Sequence, residues 1–314
     1  MSQVNESFFK KHDEEGGSRR ILKNWNLKLV GFLAITWSLF QLWYASPLPF
    51  LLDFGKFIDV PARAIHLAFG MSLCFLAYPV LKSKRNSSIG TVDFILALVS
   101  ILVTFYLVIE YERLVYRQGI LASIDFFGLI IPYELILGSF GVLLLLEATR
   151  RAIGIPLVAI ALIFLLFSIF GQKMPDLISH QGLSITRLVG YHWFGGEAIF
   201  GIPISVSVSF IFLFVLFGAT LDAAGGGRYF LNLAFALVGK MRGGPAKAAI
   251  LASGLTGLIS GSSVANTVTT GTFTIPIMKR TGLTPTKAGA IEVAASVNGQ
   301  IMPPIMGAAA FVMA

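Results

Sequence analysis

One cysteine, Cys74, stands among the 314 residues. A single thiol cannot close an intrachain disulfide, so a disulfide-stapled scaffold is excluded and the redox compartment is left open. Charge is the second shortage. Charged residues make up 13% of the chain, about half the roughly 25% of a soluble domain. Too little charge is present to cover a water-facing globule, which argues against a soluble enzyme. With 55% hydrophobic residues and a mean hydropathy of +0.79, a disordered chain is excluded too. Acid is scarcer than base: 16 Asp and Glu against 24 Lys and Arg, a formal net charge of +8. In a soluble protein that excess would suggest nucleic acid. In a membrane protein, cytoplasmic loops that collect lysine and arginine account for it, and no nucleic-acid partner is expected. An all-α integral membrane protein remains, with the lipid bilayer as its solvent.

About 20 apolar residues cross a bilayer as a helix. About six transmembrane helices are expected, near Leu27–Tyr44, Pro61–Leu81, Thr91–Ile109, Phe126–Leu146, Ala152–Gly171 and Phe200–Leu221. Basic residues gather on alternate connections: Lys10, Lys11, Arg19, Arg20 and Lys23; Lys82, Lys84 and Arg85; Arg150 and Arg151; Arg228, Lys240, Arg242 and Lys247. The opposite loops carry relatively more acid, among them Asp53, Asp59, Glu110, Glu112, Asp125, Asp176 and Glu197. By the positive-inside rule the N-terminus is cytoplasmic, and six spans return the chain to that side near Asp222. Residues 1–26 read as a polar cytoplasmic tail without regular structure. Ala45-Ser46-Pro47 makes a poor cleavage site, so the first span is an uncleaved anchor. Tyr191, His192 and Trp193 suggest an interfacial segment. His66 and His192 read as packing or interfacial residues, since neither has a second ligand at helical spacing.

Beyond Gly225-Gly226-Gly227 the pattern changes. Arg228–Lys240 encloses an apolar stretch too short to span and reads as a helix lying along the inner interface. Pro245–Met278 is flanked by basic residues at both ends, and its centre, Ser260-Gly261-Ser262-Ser263-Val264-Ala265-Asn266-Thr267, is polar. From Pro245 to Ile259 a helix reaches roughly 22 Å, past the middle of a core about 30 Å thick but not across it. A re-entrant helical hairpin follows, with a hydroxyl- and amide-rich tip near the midplane. A full span would instead put Lys279-Arg280 outside and bury Asn266 with no evident partner. Thr284-Pro285 then opens a helix on the inner side, which meets Asn298-Gly299-Gln300-Ile301-Met302-Pro303-Pro304 about 21 Å further on. Two prolines and a glycine break it there, and an apolar stretch resumes from Ile305 to Ala314: a discontinuous transmembrane helix.

Unpaired backbone groups in hydrocarbon cost several kcal/mol each and persist only inside protein or along a polar cavity. A transport site uses those same groups: half-helix N-termini for an anion, unwound carbonyls and hydroxyls for a hard cation. Ser260, Gly261, Ser262, Ser263, Asn266 and Thr267 form the tip, with Thr270 a turn further on; Asn298, Gly299, Gln300 and Pro303 form the break. These are the candidate substrate- and ion-binding residues, with Na⁺ held by Ser262, Asn266, Asn298 and nearby carbonyls. No carboxylate lies in either break, and the nearest acid is Glu292, about one and a half turns below the second. Such a site suits an anion accompanied by a weakly held cation. The plainer reading is close helix packing, for which Gly254, Gly257 and Gly261 supply a small-residue face.

At these residues the chain resembles the fused membrane component of tripartite ATP-independent periplasmic (TRAP) transporters, in the branch served by TAXI-type binding proteins. The resemblance is carried by Gly243-Gly244-Pro245-Ala246-Lys247, Ser260-Gly261-Ser262-Ser263-Val264-Ala265-Asn266, Thr274-Ile275-Pro276 with Met278-Lys279-Arg280-Thr281-Gly282, and Gly299-Gln300-Ile301-Met302-Pro303-Pro304. It implies a four-helix small-subunit-like domain over 27–150, fused to the first half of an elevator-type large-subunit transport domain over 151–314. It also implies Na⁺-coupled import of organic acids (carboxylates) across a bacterial inner membrane, no cofactor beyond the coupling ion, and a periplasmic substrate-binding protein as partner. Where the family often has threonine and glycine before Gly-Gln, Val297 and Asn298 stand here, exchanging a hydroxyl for a carboxamide. The family's second, inverted half has no counterpart in this chain, so a truncated permease is expected, its missing C-terminal half a further partner. A coding frame that stops after Ala314 would overturn that expectation. Two other readings compete. One is a stand-alone sodium–carboxylate elevator symporter. The other is an intramembrane serine hydrolase using Ser262 or Ser263, which lacks a base within evident reach.

Overall fold

Prolines mark where several of the helices begin. The computed structural model describes residues 20, 22, 24–57, 59–80, 88–117, 120–126, 129–303, 305–307, 310 and 313. α1 spans Asn24–Ala45, and α2, Val60–Ala77, opens on Pro61. α3 runs Thr91–Tyr116. A two-stranded antiparallel hairpin follows, β1 (Ile124–Phe126) paired with β2 (Leu129–Ile131), Ile124 opposite Ile131. α4 is Tyr133–Ala152, and α5, Ile155–Ile169, starts at Pro156. α6 is a short helix, Ile185–Val189, continuing into a π-turn over Gly190–Phe194. α7 covers Ile202–Ala223, with a π-turn at Ser207–Ile211. α8 is Gly226–Val238, α9 Gly244–Ser260, α10 Ser263–Arg280 and α11 Pro285–Ser296. A 3₁₀ turn, Val297–Gln300, ends α11.

The protein is an all-α integral membrane protein, with β1 and β2 its small exception among the described residues. α1, α2, α3 and α7 combine the length and apolar composition needed to cross a bilayer. α4 is long enough but carries Glu134, Glu147, Arg150 and Arg151. α5 is apolar throughout but has 15 residues, or about 22 Å. Three expected boundaries shift. α1 begins at Asn24, inside the stretch 1–26 read as a tail without regular structure. The span placed at Phe126–Leu146 begins at Tyr133, because the chain before it pairs as strands and Pro132, which has no N–H to give, stands as the N-cap. α3 continues past Ile109, so Glu110, Glu112 and Arg113 ride its last turns and are not in a loop. Most of the tail, and most of the apolar stretch after Ile305, lies outside the described residues. The tail's Arg20 is buried.

The described residues pack as two compact units, one closing at Ile204 and the other opening at Ser205. In the first unit, Met71, Phe75, Leu76, Leu107, Trp193 and Phe200 are buried together. Trp193 is fully buried, not interfacial as its aromatic neighbours suggested. Gly141, which has no side chain, leaves the slot in α4 that its indole fills. Ion pairs tie the α2–α3–α4 packing at both ends of α3. At the first turn, Asp93 accepts from Arg20 Nη2 (2.6 Å) and Arg151 Nη1 (2.7 Å), while Arg151 Nε donates to Glu147 at 2.8 Å. Past the last turn, Arg117 grips the buried Glu134 through both terminal nitrogens, at 2.6 and 3.0 Å, and Tyr106 donates to Glu134 at 2.6 Å. His66 packs as expected of a buried polar group, with Trp37 Nε1 and Gln41 Nε2 within 3.2 and 3.0 Å of Nδ1.

In the second unit, α9 and α10 lie side by side as a helical hairpin, with α11 packed on both and α8 against α9. Ala249, Met278 and Ala288 form a small apolar core between α9, α10 and α11.

Candidate functional site

α9 turns into α10 through Gly261, whose φ of +57° lies in the left-handed region that a side chain disfavours. Small residues line the inner face of α9: Ala248, Ala249, Ala252, Ser253, Thr256 and Gly257 are all buried. The break after α11 can therefore come close. A Cβ on Gly257 would sit 2.8 Å from Gly299 Cα, and one on Gly261 would sit 2.6 Å from the Met306 carbonyl. The hairpin tip and the helix break are packed together by glycine. A polar contact joins them as well, Gln300 Nε2 donating to Ser263 Oγ at 3.0 Å. In the break, the Asn298 carbonyl accepts from Ile301 N (3.1 Å) and Met302 N (3.0 Å), and the Gln300 carbonyl accepts from Gly307 N (2.7 Å).

Below the tip runs a buried chain of hydrogen bonds. Asn266 is fully buried, and its amide donates to the Ser253 carbonyl (2.8 Å) and Ser253 Oγ (2.9 Å) on the opposite arm. Its side-chain oxygen accepts from Thr256 Oγ1 at 2.6 Å. Ser253 Oγ lies 3.2 Å from Ser296 Oγ on α11, and Ser296 donates to Glu292 Oε1 at 3.4 Å. Thr270 and Thr274 of α10 donate to the two oxygens of Glu292. Hydroxyls, one carboxamide and one carboxylate thus connect all three helices with every named group buried.

The sequence-derived candidates fall into three groups. Asn266 and Gly299 are interior, Asn266 as the strut between the two arms. Ser260, Gly261, Ser262, Ser263 and Thr267 are half-buried at the tip; Ser260 Oγ donates to the Ser262 carbonyl at 3.4 Å and Thr267 Oγ1 to the Ser263 carbonyl at 2.8 Å. Asn298, Gln300 and Pro303 are exposed. Asn298 lines an open, mainly apolar groove of about 540 Å³ that also takes in Lys247, Gly254, Leu258 and Met302. Pro304 lies outside the described residues. Ser253, Thr256 and Ser296 escaped the sequence reading, Thr274 was read only as part of a family signature, and Glu292 was noted only as a nearby acid. Helical spacing would have found them: Ser253 and Thr256, Thr270 and Thr274, and Glu292 and Ser296 each share a helix face.

The chain is a multi-pass helical membrane protein in which a helical hairpin is laid against the 3₁₀ end of α11, with Gln300 and Ser263 in polar contact where they meet. The family follows from comparison: residues 140–314 match the description "Tripartite ATP-independent periplasmic transporter, DctM component", and the chain belongs to that family. It is 33% identical over 178 residues to the uncharacterized protein YgiK of Salmonella typhimurium, covering 57% of this chain and 36% of that one. It is also 32% identical over 100 residues to a Haemophilus influenzae protein provisionally named as a TRAP transporter large permease, covering 32% of this chain and 24% of that one. The chain thus spans about a third of the length of the first relative and about a quarter of the second. No solved structure matches it.

Proposed function

We propose that the chain serves as the permease component of a binding-protein-dependent secondary transporter, importing organic acids with Na⁺ as the coupling ion. The observation that supports the reading is the meeting of the hairpin tip at Gly261–Ser263 with the end of α11 at Gly299–Gln300. Helix interruptions that face each other supply N–H groups for a carboxylate and oxygens for a hard monovalent cation. In this reading Na⁺ draws on Ser262, Asn298 and neighbouring carbonyls, while Asn266 shapes the site from within. The organic acid lies between tip and break, delivered by a periplasmic binding protein of the TAXI type. Residues 27–150 act as the small-subunit-like block and 151–314 as the first half of the transport domain, in a bacterial inner membrane with the N-terminus in the cytoplasm.

The test is uptake into proteoliposomes by the complete gene product, with and without the cognate soluble binding protein and an inward Na⁺ gradient. Uptake that requires both is expected, and it should fall at least about tenfold, roughly 1.4 kcal/mol, in Ser262→Ala and Asn298→Ala at unchanged protein levels. Wild-type kinetics in both variants would refute the site. Uptake without the soluble partner would refute binding-protein dependence in favour of a stand-alone symporter.

A further inference from the structure

The transport site proposed above uses only Asn298, at one end of the groove along α9. We propose that the groove itself seats an anionic phospholipid, its phosphate against Lys247 and one acyl chain laid along the helix.

Shape is the first support. The α9 side of the lining includes Lys247, Ile250, Gly254 and Leu258, three or four residues apart and so on one helix face. Val238 at the end of α8 and Met302 beyond the break add to it. From Lys247 to Leu258 the helix rises roughly 16 Å. A hydrocarbon core is about 30 Å thick, so the groove has the depth of one leaflet, the length of a single lipid tail. Its volume of about 540 Å³ suits one ligand, since small-molecule sites run to roughly 300–1,000 Å³. Gly254 keeps the middle open: a Cβ there would have Met302 Cε, at 3.7 Å, as its nearest neighbour.

Charge is the second. Between Asp222 and Glu292 the chain carries seven basic residues and no acid. Lys240, Arg242 and Lys247 gather where α8 hands over to α9, and all three are exposed. Every ion pair among the described residues lies at or before Arg151. Lys247 therefore stands at the basic end of the groove with no acidic side chain to answer it, and Leu258 stands at the apolar end. Basic pockets between helices at a membrane surface pair with anionic headgroups.

Other occupants meet only half of this. A small organic acid would answer Lys247 and leave the apolar stripe empty. An apolar helix would cover the stripe and leave the lysine without a counter-charge. A phospholipid does both. Its tail touches α8, α9 and the segment beyond the break at once, and so ties them together on that side of the hairpin. Lipid binding does not depend on the transport reading; only the choice of the inner leaflet rests on the orientation proposed with it.

The test is native mass spectrometry of the complete gene product, titrated in detergent with phosphatidylglycerol or with phosphatidylcholine of the same acyl chains. Phosphatidylglycerol should be retained in preference by about fivefold, the effect of one lysine near a membrane surface. Lys247→Gln should remove that preference and leave phosphatidylcholine binding as it was. Gly254→Leu, which fills the groove, should weaken both lipids. Lys279→Gln, at the other end of the hairpin and outside the groove, should change neither. An equal loss of preference in Lys279→Gln would mean a generally basic surface and would overturn the site. Equal retention of the two lipids by wild type would do the same, as would wild-type binding by Gly254→Leu, the result expected where protein covers the groove. Displacement of the lipid by equimolar glycerol 3-phosphate would show that the phosphate alone suffices, and the acyl-chain groove would fall with it. Lys247 is exposed, so Lys247→Gln decides the matter even where Gly254→Leu does not fold.

Discussion

Asn266 makes its three side-chain hydrogen bonds entirely within the hairpin, to Ser253 and Thr256. Deleting one partner of a buried hydrogen bond costs about 1–3 kcal/mol, because the group left behind is neither bonded nor hydrated. Asn266→Ala should therefore lower the thermal unfolding midpoint of the detergent-purified protein by an amount corresponding to that range, before any effect on ions. Thr267→Ala, whose hydroxyl is half-buried and only bonds back to its own helix, should change the midpoint little. Equal midpoints for Asn266→Ala and wild type would show that the strut carries no load. The glycines offer a second contrast. A methyl group on Gly257 would sit 2.8 Å from Gly299 Cα, whereas on Gly254 the nearest atom is the flexible end of Met302 at 3.7 Å. Gly257→Ala should cost about 1–3 kcal/mol by overpacking, and Gly254→Ala should be tolerated; thermal unfolding of the two variants side by side decides it. The small-residue face was legible in the sequence, but which of its glycines touches backbone was not, since that depends on where the break of α11 lands. Likewise Asn266 was legible as a polar group at depth, but its partners on α9 were not, because Ser253 and Thr256 look like ordinary helix residues until the arms are brought together.

At the scale of elements, the hairpin and the end of α11 at Val297–Gln300 were both readable from where polar and basic residues interrupt apolar runs; the expected resumption of that helix falls mostly outside the described residues. Lys279-Arg280 and Lys247 at the two ends of one segment, with Gly261 between them, leave few other ways to fold. The β1–β2 pair was hidden, because Ile124, Leu129, Ile130 and Ile131 look as apolar as a helix start, and Pro132 is the single residue that argues otherwise. The ion cluster at the start of α3 was hidden too: Arg150 and Arg151 looked like a solvated loop signal, yet Arg151 is buried and pins the last turn of α4 to the first turn of α3. Its guanidinium reaches Asp93, Glu147 and the Tyr78 carbonyl and lies 5.0 Å from the Phe75 ring centroid. Arg151→Ala leaves Glu147 with Arg150 and Asp93 with Arg20 alone, a broken buried pair that should cost on the order of 3 kcal/mol. Arg151→Lys should recover little of it, since one ammonium cannot serve Asp93 and Glu147 in the directions a planar guanidinium does. Chemical unfolding of the two variants checks this, and a lysine variant as stable as wild type would mean that charge alone holds the contact.

For the whole molecule, the quantity that matters is how many times the chain crosses the bilayer, and the scarcity of cysteine makes it measurable. Replacing Cys74 with serine removes the one cysteine of this sequence, and the serine hydroxyl can keep the hydrogen bond that the thiol makes to the Ala148 carbonyl at 3.3 Å. The expectation from charge bias is that the α5–α6 loop lies outside and the ends of the α9–α10 hairpin inside. Leu177, 96% exposed in that loop, is the outer probe. Arg228 before the hairpin and Arg280 at its end are the inner ones, and cysteines placed there should be reached by a membrane-impermeant maleimide only after the membrane is opened. Leu177→Cys should react in intact spheroplasts. The informative residue is Arg280. If α9 and α10 together made one crossing, Arg280→Cys would be labelled from outside while Arg228→Cys stayed protected. If they form a re-entrant pair, both stay protected and the polar tip between them lies within the bilayer's depth, where unsatisfied backbone survives only inside protein. That parity also bears on α5. Its 15 residues cover about 22 Å, short of a core about 30 Å thick, so α5 must thin the bilayer locally or recruit flanking residues for the loop after it to reach the outer face. Protection of Leu177→Cys in intact cells would mean that α5 does not cross, and every inward assignment after it would reverse.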